Sequence, residues 1–366
     1  MDEMPVTTVV AALGFLLGIV FGAIAQRSCF CAMGAVSDIV LMGEWNRFRA
    51  WVLAIAVATL GSQVLHGTGA VDLGESIYVS GNLGWAGGIV GGALFGFGMT
   101  LTGGCGNRTL VRLGAGNLKS AVVMLFLGIF AYVTLSGLLA PARIALDGAT
   151  RIDVTSLALE THAIPDILTA GGLAAGTARW VAVIAVAGGM LVFCFKSAAF
   201  RASPVNIAAG LVIGALVTAA WAVTGIAGFD DFEPTPLASV TFVAPVGEAI
   251  LYLMTFTGAT ISFGIAVVGG VVVGSFLVAK AAGTFRVETF TEASDMVRNM
   301  IGGAMMGVGG VLALGCTIGQ GITGMSTLAL GSVIAWLSII AGGILGVKFL
   351  EEGSLGGAFR ALVARD

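Results

Sequence analysis

The sequence predicts an all-α integral membrane protein, and three observations carry that prediction. First, charged residues make up only 10% of the 366 positions while hydrophobic residues make up 57%, with a mean hydropathy of +1.03. Soluble domains carry about 25% charged residues, so this chain is built for lipid. Second, apolar runs long enough to span a bilayer recur along its whole length. Third, a fifteen-residue stretch occurs twice, at residues 91–105 (GGALFGFGMTLTGGC) and 302–316 (GGAMMGVGGVLALGC), matching at eight positions and ending each time at a cysteine. A segment duplicated in this way points to one site assembled from two related halves.

The spans are expected at residues 6–26, 48–66, 84–103, 119–140, 179–196, 204–227, 260–280, 299–315 and 329–349, about nine in all. The first follows the acidic start Asp2-Glu3 and lacks a basic lead, so it reads as a span rather than a cleavable signal. Four shorter apolar segments, 31–43, 106–116, 245–258 and 317–327, are too short to cross and too apolar for ordinary loops. They read as half-helices. The 57 glycines fit helices packed in lipid, where small residues let backbones approach closely.

Orientation follows from the positive-inside rule. With the N-terminus outside and nine crossings, fourteen of the seventeen Lys and Arg residues fall on the inner side, leaving only Arg143, Arg151 and Arg179 outside. The C-terminus is then cytoplasmic and the membrane is the cytoplasmic (inner) one. An odd number of crossings puts the two copies in opposite directions, an inverted-topology duplication. The expected organisation is a first membrane repeat at 1–140, an outer loop and connecting helix at 141–203, and a second, inverted repeat at 204–366. Cys105 would approach the midplane from the inner side and Cys316 from the outer side.

After each paired cysteine the sequence offers a helix start, Gly106-Asn107-Arg108-Thr109 in one half and Thr317-Ile318-Gly319-Gln320 in the other. Half-helix N-termini present free N–H groups and partial positive charge, which favour an anion. Gly104 and Gly315, directly before the cysteines, are candidates for backbone that turns or approaches an ion closely. Asn107 and Gln320 can donate hydrogen bonds or cap the short helices, and Arg108 can receive an anion at the inner mouth. No CxxC occurs among Cys29, Cys31, Cys105, Cys194 and Cys316, and the two histidines, His66 and His162, lie near outer span ends. A thioredoxin-like pair and a Cys/His metal cage are both poorly supplied, and neither cofactor nor metal is expected. No GxxxxGK[ST] motif is present, so ATP hydrolysis by this chain is not expected.

The strings AQRSCFCAMGAVSD at 25–38, GGCGNRTLVRLGAGNLKS at 103–120 and GCTIGQGITGMSTLALGS at 315–332 resemble the signatures of the YeeE/YedE membrane family of thiosulfate uptake transporters. The resemblance covers nearly the whole chain. It implies an hourglass-shaped pathway with short helices dipping in from both sides, and passage of thiosulfate between central cysteines. Carried over by position, those are Cys31, Cys105 and Cys316; at Cys29 the sequence departs from the family pattern. The resemblance also implies a small cytosolic sulfur-carrier protein beside some members, besides membrane lipid, and no nucleic-acid partner. The chemistry suits a thiol, which donates a weak hydrogen bond and is polarizable enough for the terminal sulfur of thiosulfate. Two other classes are compatible with the residues: a channel-like facilitator for another small solute, and a membrane thiol–disulfide oxidoreductase.

Overall fold

The computed structural model describes residues 5–157, 159–230 and 235–363. The first half contains α1 (Val6–Ser28), α2 (Ala32–Ser37, continued by the π-helical turn Asp38–Met42), α3 (Asn46–Gly67), α4 (Trp85–Leu101), α5 (Gly106–Gly114) and α6 (Leu118–Leu135). The connecting region holds α7 (Ala140–Thr150), α8 (Ile164–Ala170), α9 (Ala175–Val183), α10 (Gly189–Phe195) and α11 (Ala198–Arg201). The second half holds α12 (Pro204–Ala222), α13 (Val243–Met254), α14 (Phe263–Ala281), α15 (Ala293–Leu312), a π-helical segment at Gly319–Gly324, α16 (Leu330–Glu352) and α17 (Leu355–Val363). The protein is all-α, and the small β-structure is a two-residue pair outside the bundle, Asn82 opposite Asp153 and Leu83 opposite Ile152.

Among the described residues, eight helical stretches are long and apolar enough to cross a membrane. They cover every expected span except 299–315. That span is present as α15, but Asp295, Arg298 and Asn299 in its opening turns lower its hydropathy. The half-helix segments are present as well. Residues 31–43 and 106–116 are the α2 and α5 continuations of longer stretches, Val6–Met42 and Trp85–Gly114, each interrupted at a cysteine. Within residues 141–178, the segment expected to form the outer loop, lie α7, the second strand and α8.

Glycine sets how closely these helices pack. Against α14, α1 presents Gly14, Gly18 and Gly22: a Cβ on Gly22 would sit 2.2 Å from the Val271 carbonyl oxygen, and one on Gly18 2.3 Å from that of Val267. In the same manner α12 presents Gly210 and Gly214 to Ala50 and Ala54 of α3, α4 presents Gly92 and Gly96 to Ala335 and Ile339 of α16, and α15 presents Gly303 and Gly307 to Val123 and Leu127 of α6. Each of these four pairs runs parallel. The duplicated stretches themselves meet where α4 crosses α15 antiparallel: Gly91 lies against Gly309, and Gly98 against Gly302. Backbone to backbone contact of this kind replaces the hydrophobic drive that lipid removes.

Candidate functional site

Three turns that precede short helices bury the sequence-predicted cysteines Cys31, Cys105 and Cys316, and bring Cys105 beside both Cys31 and Thr317. At the first, Cys29 ends α1 in the left-handed region (φ 53°), and Cys31 follows in extended conformation as the N-cap of α2. Its sulfur accepts the Gly34 N–H at 3.4 Å. At the second, the chain turns through Gly103 (φ 66°), and Cys105 becomes the N-cap of α5. At the third, Leu314 adopts φ 58° at the position matching Gly103 in the duplicated stretch, and the Cys316 sulfur accepts the Gly319 N–H at 3.4 Å. The left-handed residue therefore precedes Gly104 and Gly315 rather than coinciding with them. Those two glycines instead leave room for the following helix: a Cβ on Gly315 would lie 3.1 Å from the Gln320 amide nitrogen, and one on Gly104 3.4 Å from Arg108 Cγ.

Cys31, Cys105 and Cys316 are at most 5% exposed, and all are free thiols. The Cys31 and Cys105 thiols are direct neighbours, and Cys105 in turn lies beside Thr317. The Thr317 hydroxyl makes no well-formed hydrogen bond of its own, so it faces the thiols with donor and acceptor unspent. The Cys105 thiol donates to Asn107 Oδ1 at 2.6 Å, and the same oxygen accepts the Arg108 N–H at 2.8 Å. Asn107, fully buried, thus fixes both the direction of the thiol and the start of α5. Gln320 is 3% exposed; its amide nitrogen donates to the Ala313 carbonyl while its Oε1 has no partner among the described residues. Beside Cys316 stand Tyr78 and Thr241, which interact with each other and with that thiol. Burial pushes the Tyr78 phenol up, so it remains a neutral hydroxyl beside the cysteine.

The two remaining cysteines occupy other places. Cys29 is exposed at the mouth of the group, where Arg108 Nη2 donates to its sulfur at 3.7 Å. Cys194 is buried apart from the site, donating to the Arg49 carbonyl at 3.2 Å where α10 meets α3. Tyr78 and Thr241, and Ser80 and His162 where they line a crevice with Gln320 and Ser332, are the parts that the motifs did not reveal. They come from loops whose sequence carries no signal of depth. Among the described residues no group of three or more His, Cys, Asp or Glu side chains is arranged to hold a metal ion. What the arrangement offers is a set of neutral donors: three thiols, the Thr317 and Tyr78 hydroxyls, and the N–H groups of short helices.

Comparison with known proteins agrees with this chemistry. A family model described as sulphur transport matches residues 27–345. The thiosulfate transporter TsuA of Escherichia coli (strain K12) is 26% identical over 330 residues, covering 84% of this chain and 86% of the relative. The protein of the same name from Spirochaeta thermophila is 27% identical over 333 residues, covering 89% and 93%. The probable transporter YedE of Escherichia coli is 29% identical over 126 residues, 31% of this chain and 29% of its own. Matched over most of its length and built as a bundle of membrane-crossing helices, the chain is a transporter and belongs to the sulphur-transport (YeeE/YedE) family.

Proposed function

We propose that the protein takes up thiosulfate, or a closely related sulfur oxyanion, across the cytoplasmic membrane along the file Cys316, Cys105, Cys31. The observation that carries this reading is that the free, buried thiols Cys31 and Cys105 are neighbours although 74 positions separate them, and that Cys105 also lies beside Thr317, the residue that follows the third buried free thiol, Cys316, in the other half of the chain. Thiols bind a soft anion weakly, and weak sites in series let an ion enter and leave. A carboxylate here would repel the ion and a buried lysine would hold it. The two relatives that cover most of the chain carry the name thiosulfate transporter, which supports the choice of ion.

The same proposal makes the halves inverted repeats, with the N-terminus outside and the C-terminus in the cytosol. Exchanging α1 for α12, α3 for α14, α4 for α15 and α6 for α16 turns the α1–α14 contact into α12–α3 and the α4–α16 contact into α15–α6. All four are close pairs. The α4–α15 contact maps onto itself, as a two-fold axis in the membrane plane requires. Delivery to a small cytosolic sulfur-carrier protein at the inner mouth belongs to this reading, as does the hourglass-shaped path.

Uptake of labelled thiosulfate into cells that lack other routes for it tests the proposal, with saturable accumulation expected and no accumulation contradicting it. Asn107→Ala is expected to lower that uptake about three- to tenfold, the cost of losing one aligned hydrogen bond to the Cys105 thiol. Unchanged uptake in a well-expressed Asn107→Ala protein would show that the thiol needs no such alignment.

A further inference from the structure

We propose that Arg108 and Cys29 form an inner release station, where the guanidinium takes the departing anion as the counter-ion it otherwise lacks. This rests on the thiosulfate reading above and extends it to a site outside the three-cysteine group. Arg108 lies in the first turn of α5, directly after Asn107, next to the Cys31–Cys105 pair. Its side chain reaches to the end of α1, where Nη2 donates to the Cys29 sulfur at 3.7 Å, while Nη1 is buried without a partner.

Two of the other inner arginines have carboxylate partners, Arg47 with Asp38 at 2.6 Å and Arg298 with Asp295 at 2.9 Å, whereas none of the ion pairs found among the described residues includes Arg108. A buried N–H of a cation left without an acceptor costs free energy, and an anion arriving at Arg108 relieves that cost. The bond to Cys29 is long and made to sulfur, so it is easily given up. A second cation faces the same loop: Arg112 Nη1 lies 3.7 and 3.5 Å from where a Cβ on Gly103 and on Gly104 would sit.

Position explains how such a site helps rather than traps. Deep in the protein a full positive charge would hold a dianion tightly. Arg108 is half-exposed, at the end of the file where water and salt screen the attraction, so the ion is drawn off Cys31 and then lost to the cytosol. Cys29, exposed and in left-handed backbone, holds the guanidinium across the mouth when no ion is there. The exchange of Cys29 sulfur for substrate oxygen is the step assigned here to Arg108.

Thiosulfate uptake into right-side-out and inside-out membrane vesicles reads the two faces separately. In Arg108→Gln the half-saturating concentration at the inner face is expected to rise on the order of tenfold, since one charge-assisted hydrogen bond is lost. At the outer face it is expected to change less than twofold, which also reports an intact fold. Arg108→Lys should lie between, keeping the charge without the fork. Equal half-saturation at the inner face in wild type and Arg108→Gln, or an equal shift at both faces, overturns the station while leaving transport by the thiol file standing. Wild-type vesicles that carry no thiosulfate overturn both.

Discussion

Cys105→Ala and Cys316→Ala are each expected to cut thiosulfate uptake to below about a tenth of wild type, with the protein still folded and inserted. Each removes one station from a file in which the ion has no other soft donor at that depth; loss of a hydrogen bond to a charged group corresponds to roughly 10- to 100-fold. The cavity left by a thiol is small, and both side chains are fully buried among contacts that the alanine Cβ retains, so the loss should lie in transport rather than folding. Cys105→Ser is expected to keep part of the activity. Its hydroxyl still donates to Asn107 Oδ1, but it is less polarizable and shorter than the thiol. Cys194→Ala, away from the site, should transport as wild type does. The measurement is initial-rate uptake normalised to membrane protein; full activity in either Cys105→Ala or Cys316→Ala would remove the thiol from the mechanism.

Gly96→Val should show the largest loss of stability. A Cβ at Gly96 lies 2.0 Å from the Ile339 carbonyl oxygen and 2.7 Å from the Gly343 nitrogen, both backbone atoms of α16. Carbon and oxygen cannot approach that closely, and two helices in contact along their length have no side chain to rotate out of the way. Overpacking costs about 1–3 kcal/mol where neighbours can give and more where they are backbone. A fall of roughly 5–10 °C or more in the detergent-solubilised melting temperature is therefore expected. Gly189→Ala is the control, because nothing lies within 4 Å of its added Cβ; it should be neutral or slightly stabilising through the helix preference of alanine. A Gly96→Val protein as stable as wild type would show that α4 and α16 slide freely, which contradicts the packing.

What could be read from the chain is explained by what lipid demands. A span needs about 20 apolar residues, so composition alone locates the crossings; α15 is the informative exception, since Asp295 pairs with Lys119 and Arg298 at the helix start and that polarity shortens its apolar run. Duplication set Cys105 and Cys316 apart from Cys194 as candidates, and the structure buries both at the starts of short helical segments. Left-handed backbone was placed a residue late: Gly104 looked like the turning glycine, but the turn is at Gly103 and is met in the other half by Leu314, which sequence reasoning does not mark because leucine rarely adopts that conformation. Tyr78 and Thr241 were invisible for a different reason. They reach Cys316 through contacts between distant loops, and nothing local in a loop records how deep it folds. The Arg108–Cys29 contact spans 79 positions and escaped notice likewise.

The thiol file stands or falls on where the ion sits. A cryo-electron microscopy map of the protein in lipid nanodiscs with thiosulfate bound should place the ion's terminal sulfur within about 4 Å of at least one of the Cys31, Cys105 and Cys316 sulfurs, the reach of a hydrogen bond involving sulfur. Its oxygens should face N–H groups at the starts of the short helices. Thiosulfate resolved elsewhere, between helices away from all three cysteines and with the Cys31 and Cys105 thiols still neighbours, would contradict the account.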